Sequence, residues 1–570
     1  MDSERINVLA DALRGGRISR RDFLKIATGL GLSAPAAMTL LQGCAPAPAA
    51  EPTAVPPADT PAAAATAAPT VAPTTPPAPA KTSAIIGQAA PPKGLDPFFI
   101  ASPYDLALYV SVFDSLFDLN FDTMEIIPVM VEEWEQTDDV TWSFKLKEGM
   151  QFHKGYGEVT SEDWCFWVNK IVTEKAPPYF VMGSGMVTEA VPTGKYTFEA
   201  HLKEPWAAFP LTSLVSYGGV VPSSKAYEEM GPEEFAMNPI GSGPFEVESW
   251  TPGGEVVMKK FEDYHDPSLP KLDELIFQGI PDGVVRMEKM RNGEIDFTVG
   301  LNKKDMDTLR ADSNLQVLDA GGWNWDYITF NTSLPDRPWL DKRVRQAISY
   351  AVDRNAIVES VYYGGATAED DSLPAGYLGA DPDQQFYPND ADLDMAKDLM
   401  AEAGYADGFT MPCMTSDKEN LRRSLQIIAD QLSQINIEVE IEQTDAGTYR
   451  SRWQNFEFET ISEDAGMASP DSDSALYWWY HSGPEGGSNL GSDGYSNPDL
   501  DAILEEARKS SDSDERATLY RQACEVIAED SPKVVLCNVN EEWVLNAGLE
   551  GFYPTPQRMF PYFKTMGWKA

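Results

Sequence analysis

Histidine and cysteine are scarce in this chain of 570 residues, which holds 4 of the first and 5 of the second. His153, His201, His265 and His481 fall in unrelated segments, so no histidine metal site or His-activated nucleophile has partners nearby in sequence. No two cysteines stand as Cys-x-x-Cys, which argues against structural zinc. Positive charge is short too: 44 Lys and Arg against 89 Asp and Glu leave a formal net charge of −45. Phosphate contacts need clustered Lys and Arg, and without such a cluster a nucleic-acid partner is excluded. No Gly-x4-Gly-Lys phosphate loop occurs. Among so many acidic residues, carboxylate pairs such as Glu132-Glu133 and Asp138-Asp139 carry no weight as a glycosidase signal. Asp471-Ser472-Asp473 and Asp512-Ser513-Asp514 lack the glycine that a calcium loop needs at its sixth position. The chain therefore offers no catalytic residue, no metal ligand set and no cofactor motif. Its acidity keeps an exposed protein soluble and draws in cationic solutes, and a saline habitat explains it equally well.

What the chain does have begins at its N-terminus. Ser19-Arg20-Arg21-Asp22-Phe23-Leu24-Lys25 precedes a weakly apolar run over 26–41, the pattern of an export signal with a twin-arginine address. Gly29, Gly31 and Pro35 interrupt that run, and it is too short for a comfortable membrane span. It ends in Leu41-Gln42-Gly43-Cys44, which resembles the lipobox of bacterial lipoproteins and makes Cys44 the lipid anchor. From there to residue 82 the chain is almost all Ala, Pro and Thr. Proline lacks an amide hydrogen and fixes φ, so this stretch stays extended. It can hold the body up to ~100 Å from the lipid.

The body, 83–570, is 488 residues of ordinary globular character and too long for one core. Thr141-Trp142-Ser143-Phe144-Lys145-Leu146 alternates as a strand does. A helix opens at Ser161, capped by Thr160 or Ser161. Apolar spacing of three and four predicts helices over 342–352 and 421–432, and Ile437-Glu438-Val439-Glu440-Ile441 is a strand directly after the second. Helix followed by strand implies an α/β lobe. Cys165, Cys413, Cys524 and Cys537 allow three full pairings; buried thiols, or one bridge at most, are expected.

Several segments, in order, are similar to family 5 of the ABC-transporter solute-binding proteins, which serves oligopeptide, dipeptide and nickel importers. They are Leu95-Asp96-Pro97, Val112-Phe113-Asp114-Ser115-Leu116, Trp142-Ser143-Phe144-Lys145-Leu146 with its continuation to His153, Gly241-Ser242-Gly243-Pro244-Phe245, Asn292-Gly293-Glu294-Ile295-Asp296, Phe330-Asn331-Thr332 and Tyr495-Ser496-Asn497-Pro498-Asp499. The most specific is Val344-Arg345-Gln346-Ala347-Ile348-Ser349-Tyr350-Ala351-Val352-Asp353-Arg354. In that stretch Arg345, Asp353 and Arg354 read as charges that hold a lobe together. The Gly241-Ser242-Gly243-Pro244 run reads as backbone geometry.

The resemblance implies a two-lobed α/β fold of the type II, cluster C-like kind, with a hinge and an extra subdomain in lobe I. It divides the chain into an export signal over 1–43, a tether over 44–82, lobe I over 83–335 with 541–570 returning to it, and lobe II over 336–540. The lobes would close on a peptide or similar small polar solute without altering it, and a monomer would deliver it to the ABC permease subunits at the outer face of the cytoplasmic membrane. Trp323, Trp325 and Tyr327 alternate along a strand and are candidate cleft walls, with Asn331 at the expected crossing between lobes and Trp478 in an aromatic run. In peptide-binding relatives a loop aspartate pairs with the ligand's amino group. Here Gly466 falls where that aspartate stands and Glu463 where a tryptophan does, so Asp464 and Asp471 are the candidates. The alternative is an anchored hydrolase acting on glycans.

Overall fold

The computed structural model of the protein describes residues 81–98, 103–176, 182, 185–215, 218–466, 471–483, 494–556 and 561–569. The export segment, Cys44, the tether up to residue 80 and positions 467–470 lie outside the described residues. Two large sheets organise the rest. The first runs, in spatial order, Leu315–Asp319, Glu542–Asn546, Phe297–Val299, Ser83–Gln88, Glu274–Gly279, Glu255–Lys260 and Phe245–Trp250. Ser83–Gln88 pairs in parallel with both of its neighbours. The second sheet runs Ala366–Ala368, Lys533–Val539, Asn324–Phe330, Thr460–Gly466, Phe409–Thr415 and Ile437–Gln443. Phe409–Thr415 and Ile437–Gln443 are parallel and are joined through the helix Glu419–Leu432, as a parallel pair requires. The mixed sheets, each with its own helices, make an α/β protein of two lobes. A four-stranded sheet of Val131–Asp138, Thr141–Leu146, Thr197–Leu202 and Val187–Pro192 adds a subdomain to the first.

Local signals explain these elements. In Thr141–Leu146 the alternating residues Trp142, Phe144 and Leu146 are buried. The Asp163 carboxylate accepts from the Thr160 backbone N–H at 3.0 Å, closing the first turn of the helix Ser161–Glu174. The helix Lys342–Ala351 buries Val344, Ala347, Ile348 and Ala351 in one core with Ile328, Phe330, Leu425 and Ile428. Ile437–Gln443 is an edge strand with Glu438, Glu440 and Glu442 exposed, and charge on an edge discourages pairing with another chain. Gly241 and Gly243 owe their place to proximity rather than to an unusual φ: a Cβ there would lie 2.1 and 2.6 Å from the Val112 backbone. Cys165, Cys413, Cys524 and Cys537 are free and buried.

Arg345 and Arg354 hold the second lobe through carbonyl oxygens. Arg345 Nη1 donates to Trp339 O at 2.8 Å and its Nε to Asp530 O at 2.9 Å. Arg354 is fully buried. Its Nε donates to Val535 O at 2.8 Å, its Nη1 to Ser349 O and Pro388 O at 3.1 Å each, and its Nη2 to Ser349 Oγ at 2.9 Å. One planar fork therefore ties a helix end, a loop and a central strand together. Burial pulls its pKa down to about 10. Arg354→Ala strands several buried acceptors at about 1–3 kcal/mol each, so the urea-unfolding midpoint should fall by the equivalent of about 3 kcal/mol or more. Arg354→Lys should recover less than half, because a point charge cannot satisfy a fan of acceptors. An unchanged midpoint for either variant would refute the role given to this residue.

Candidate functional site

The chain passes between the sheets twice. Leu315–Asp319 lies in the first sheet and Asn324–Phe330 in the second, so the outward passage is at 320–323. This differs from the boundary at 335 expected from sequence, because the aromatic strand pairs on both sides within the second sheet. The return passage, 540–541, lies between Lys533–Val539 and Glu542–Asn546. The two passages run side by side: Ala320 N–H donates to Glu541 O at 3.0 Å and Glu541 N–H to Gly321 O at 2.7 Å. They lie so close that a Cβ on Gly322 would sit 2.1 Å from Val539 O. Larger residues there would force the pair apart.

Over this pair opens a cavity of about 980 Å³ with walls from both lobes. The first lobe contributes Phe121, Asp122, Asp319 and Tyr553, and the second Glu369, Tyr377, Asp471 and Arg516. Trp323 ends the outward passage, and Asn538 comes from the strand that leads into the return passage. Trp323 is buried between the lobes, edge-on to Tyr377 at 5.2 Å and 5.7 Å from Phe121 between ring centres. A cavity of this size with aromatic walls and a few polar groups has the character of a small-solute site.

Two of the sequence-predicted residues reach this cavity, Trp323 and Asp471. Asp471 is buried, accepts from Arg516 Nη2 at 2.8 and 2.9 Å, and caps the helix Ser472–Tyr480 through the Asp473 N–H. Burial raises its pKa and the Arg516 charge opposes the rise. The others are placed elsewhere. Trp325 and Tyr327 share a face with Trp323 but continue away from the passage, around a void of about 20 Å³ with Trp479 and Lys533. Lys533 Nζ lies 4.3 Å from the Tyr327 ring centre and 3.5 Å from the buried Glu463 carboxylate. Asn331 is buried, its Nδ2 donating to Phe458 O at 2.9 Å and its carbonyl accepting from Trp339 Nε1 at 3.0 Å, so it fastens a loop. Trp478 is buried in the helix Ser472–Tyr480.

Asp464 sits on the face of the sheet away from the main cavity. Its strand partner Asp326 is on that same face, and alternation sends Ala465 and Trp325 to the other. Lys418 Nζ donates to the Asp464 carboxylate at 2.7 and 2.8 Å, at the wall of a separate cavity of about 260 Å³. Asp326 beneath it accepts from the Tyr362 hydroxyl. Burial, reinforced by repulsion from Asp464, pushes the Asp326 carboxyl up to about 7.

Away from the passages the lobes touch through Trp206, next to the four-stranded sheet. Its Nε1 donates to Asp473 Oδ2 at 3.0 Å, and Arg508 grips the same carboxylate with Nε at 2.9 Å and Nη2 at 2.8 Å. All three are buried. Ala207 N–H adds a bond to Arg508 O at 3.1 Å. Sequence reasoning missed Glu369, Tyr377, Arg516 and Asn538. One signal was available, the turn-rich Leu373-Pro374-Ala375-Gly376-Tyr377-Leu378-Gly379.

The model of the bacterial extracellular solute-binding proteins, family 5, middle region, matches residues 125–487. A dipeptide-binding protein of Escherichia coli (strain K12) is 26% identical over 489 residues, 80% of this chain and 89% of that protein. The glutathione-binding protein GsiB of Shigella boydii serotype 4 (strain Sb227) is 26% identical over 494 residues, 82% of this chain and 91% of its own. The periplasmic binding protein DppA of Helicobacter pylori, solved with the peptide STSA, superposes with a TM-score of 0.75 at 23% identity, covering 86% of this chain and 99% of that one. The two-lobed architecture is thus that of the type II periplasmic binding proteins.

Asp326 makes one pH prediction. A carboxyl whose folded pKa is raised destabilises the fold as pH rises, since its protonated form is the one the interior accepts. Stability should fall between about pH 4 and pH 7, by on the order of 3 kcal/mol from this residue. In Asp326→Asn that share of the loss should vanish when guanidinium midpoints at pH 5 and pH 8 are compared. An equal loss in both proteins would contradict the assignment.

Proposed function

Because the chain belongs to family 5 of the bacterial extracellular solute-binding proteins, we propose that it captures a short peptide or peptide-like solute in the cavity over the paired passages and hands it to an ABC permease. The observation that carries this reading is that one cavity of about 980 Å³ takes its walls from both lobes. A solute there touches both halves at once, so its binding energy goes into holding them together. The peptide class is supported by the names of the relatives, which bind dipeptides or glutathione. Trp323, Tyr377 and Phe121 provide aromatic area, and Asp471 with Arg516 provides polar recognition. The reading includes no chemical step.

Export by the twin-arginine route and lipid attachment at Cys44 complete the proposal. The lipid would keep the monomeric receptor at the outer face of the cytoplasmic membrane, near the permease, and the Pro-rich tether would let the body move. No described helix is long and apolar enough to cross a membrane.

Screening di- and tripeptides by thermal shift tests the ligand class, since a ligand at a hundred times its Kd stabilises the fold by about 2.7 kcal/mol. For a peptide found this way, Trp323→Ala should weaken binding about thirtyfold in calorimetry, the scale of a buried aromatic anchor. Undiminished affinity would remove the cavity from the proposal. Cys44→Ser should move the protein from the membrane to the soluble fraction, and retention in the membrane would remove the anchor.

A further inference from the structure

The register of two neighbouring strands brings a second polar group beside Glu369. Ala366–Ala368 pairs antiparallel with Lys533–Val539, with Thr367 opposite Asn538 and Ala368 opposite Cys537. The ladder continues as Glu369 N–H donates to Leu536 O at 3.3 Å. Side chains alternate between faces, so Thr367, Glu369 and Asn538 line the cavity while Ala368 and Cys537 join the core of the second lobe. Diagonal neighbours on one sheet face lie about 7 Å apart, a gap that one hydrogen-bonding group of a solute can bridge.

Neither group has a charged donor among the described residues. Asn538 is 6% exposed, and its Oδ1 has no hydrogen-bond partner among the described residues. Among the described residues the Glu369 carboxylate accepts only weak bonds from the N–H groups of its own turn, Asp370 at 3.2 Å and Asp371 at 3.3 Å. Among the described residues no Lys or Arg forms an ion pair with the half-buried Glu369, whereas the buried carboxylate of the wall, Asp471, has Arg516, and Asp319 has Arg310. An acceptor left dry and unpaired costs about 1–3 kcal/mol. Burial pushes the Glu369 carboxyl up to about 7, and a positive charge arriving beside it reverses that shift. A divalent metal fits poorly, since calcium needs six or more oxygens and the described residues hold no group of three metal-ligating side chains.

We propose that the cavity selects a solute bearing a cationic nitrogen, an ammonium or a guanidinium, and that Glu369 and Asn538 on the second lobe receive it. This rests on the peptide-receptor reading above and narrows it.

Calorimetry on the purified full chain tests the assignment with two probes, alanyl-lysine and N-acetyl-alanyl-alanine, the second without any cationic nitrogen. The wild type should bind alanyl-lysine at least tenfold more tightly. Glu369→Gln, nearly the same shape, should lose at least tenfold for alanyl-lysine and stay within twofold for the acetylated probe. Glu369→Lys should reverse the preference. Equal affinity of wild type and Glu369→Gln for alanyl-lysine overturns the assignment and leaves the peptide reading standing. If the wild type binds neither probe nor any peptide of the thermal-shift screen, both are overturned.

Discussion

A single two-stranded ribbon connects the halves of this molecule, and the site is defined by where it runs. Leu315–Asp319 pairs with Glu542–Asn546 in the first sheet, Asn324–Phe330 pairs with Lys533–Val539 in the second, and the passages between them are hydrogen-bonded to each other. The ladder therefore continues from one lobe into the next. A two-stranded ribbon accepts twist readily but resists sliding, because sliding breaks every rung. The walls of the cleft are thereby set in register across the passages, and Trp323, within the outward passage, lines the cleft.

Beyond the ribbon, one contact between the lobes is a buried group of three side chains. Asp473 and Arg508 both belong to the second lobe and remain paired with each other, while Trp206 comes from the first. Separating the lobes at this point would leave the ion pair intact and remove one hydrogen bond to a charged group, about 1.5–3 kcal/mol, the backbone bond from Ala207 to Arg508, about 1 kcal/mol, and the apolar burial of one indole, about 2 kcal/mol. A difference of a few kcal/mol is within what a small solute can tip. Had Asp473 been left without Arg508, a lone buried carboxylate would have cost more than the contact yields.

Charge is handled differently inside and outside. The formal net charge is −45, and among the described residues most carboxylates lie on the surface, where water screens them. The buried ions each have an answer. Arg354 is surrounded by carbonyls, Asp471 by Arg516 and a helix N-terminus, Glu463 by Lys533 and Thr329. Asp326 is answered by a raised pKa, which lets the group stay neutral. Glu369, half-buried at the cavity, has no ion-pair partner among the described residues, and that is what makes it informative about the solute.

Local rules carried much of the fold. The period of two in Thr141–Leu146, the three-and-four spacing in Lys342–Ala351 and the ordered family segments depend on neighbours a few residues apart, and those are visible in a linear text. Half of the site was not. Trp323, Trp325 and Tyr327 look equivalent in sequence because they share a sheet face, yet only Trp323 lies in the passage; the other two continue into a packed interior. Asp464 lies one residue from a cavity-side face and therefore on the wrong one, and Lys418 reaches it from 46 positions away. Glu369 stands on the same cavity wall as Asn538 only because strands far apart in the sequence pair, and Arg516 meets Asp471 across two helices. The amino-acid order determined which segments become strands and helices and which family they compose, since those outcomes rest on short-range periodicity. Which polar groups end in the cleft was decided by strand register and lobe packing, because a shift of one residue turns a side chain to the opposite face and no local pattern records it.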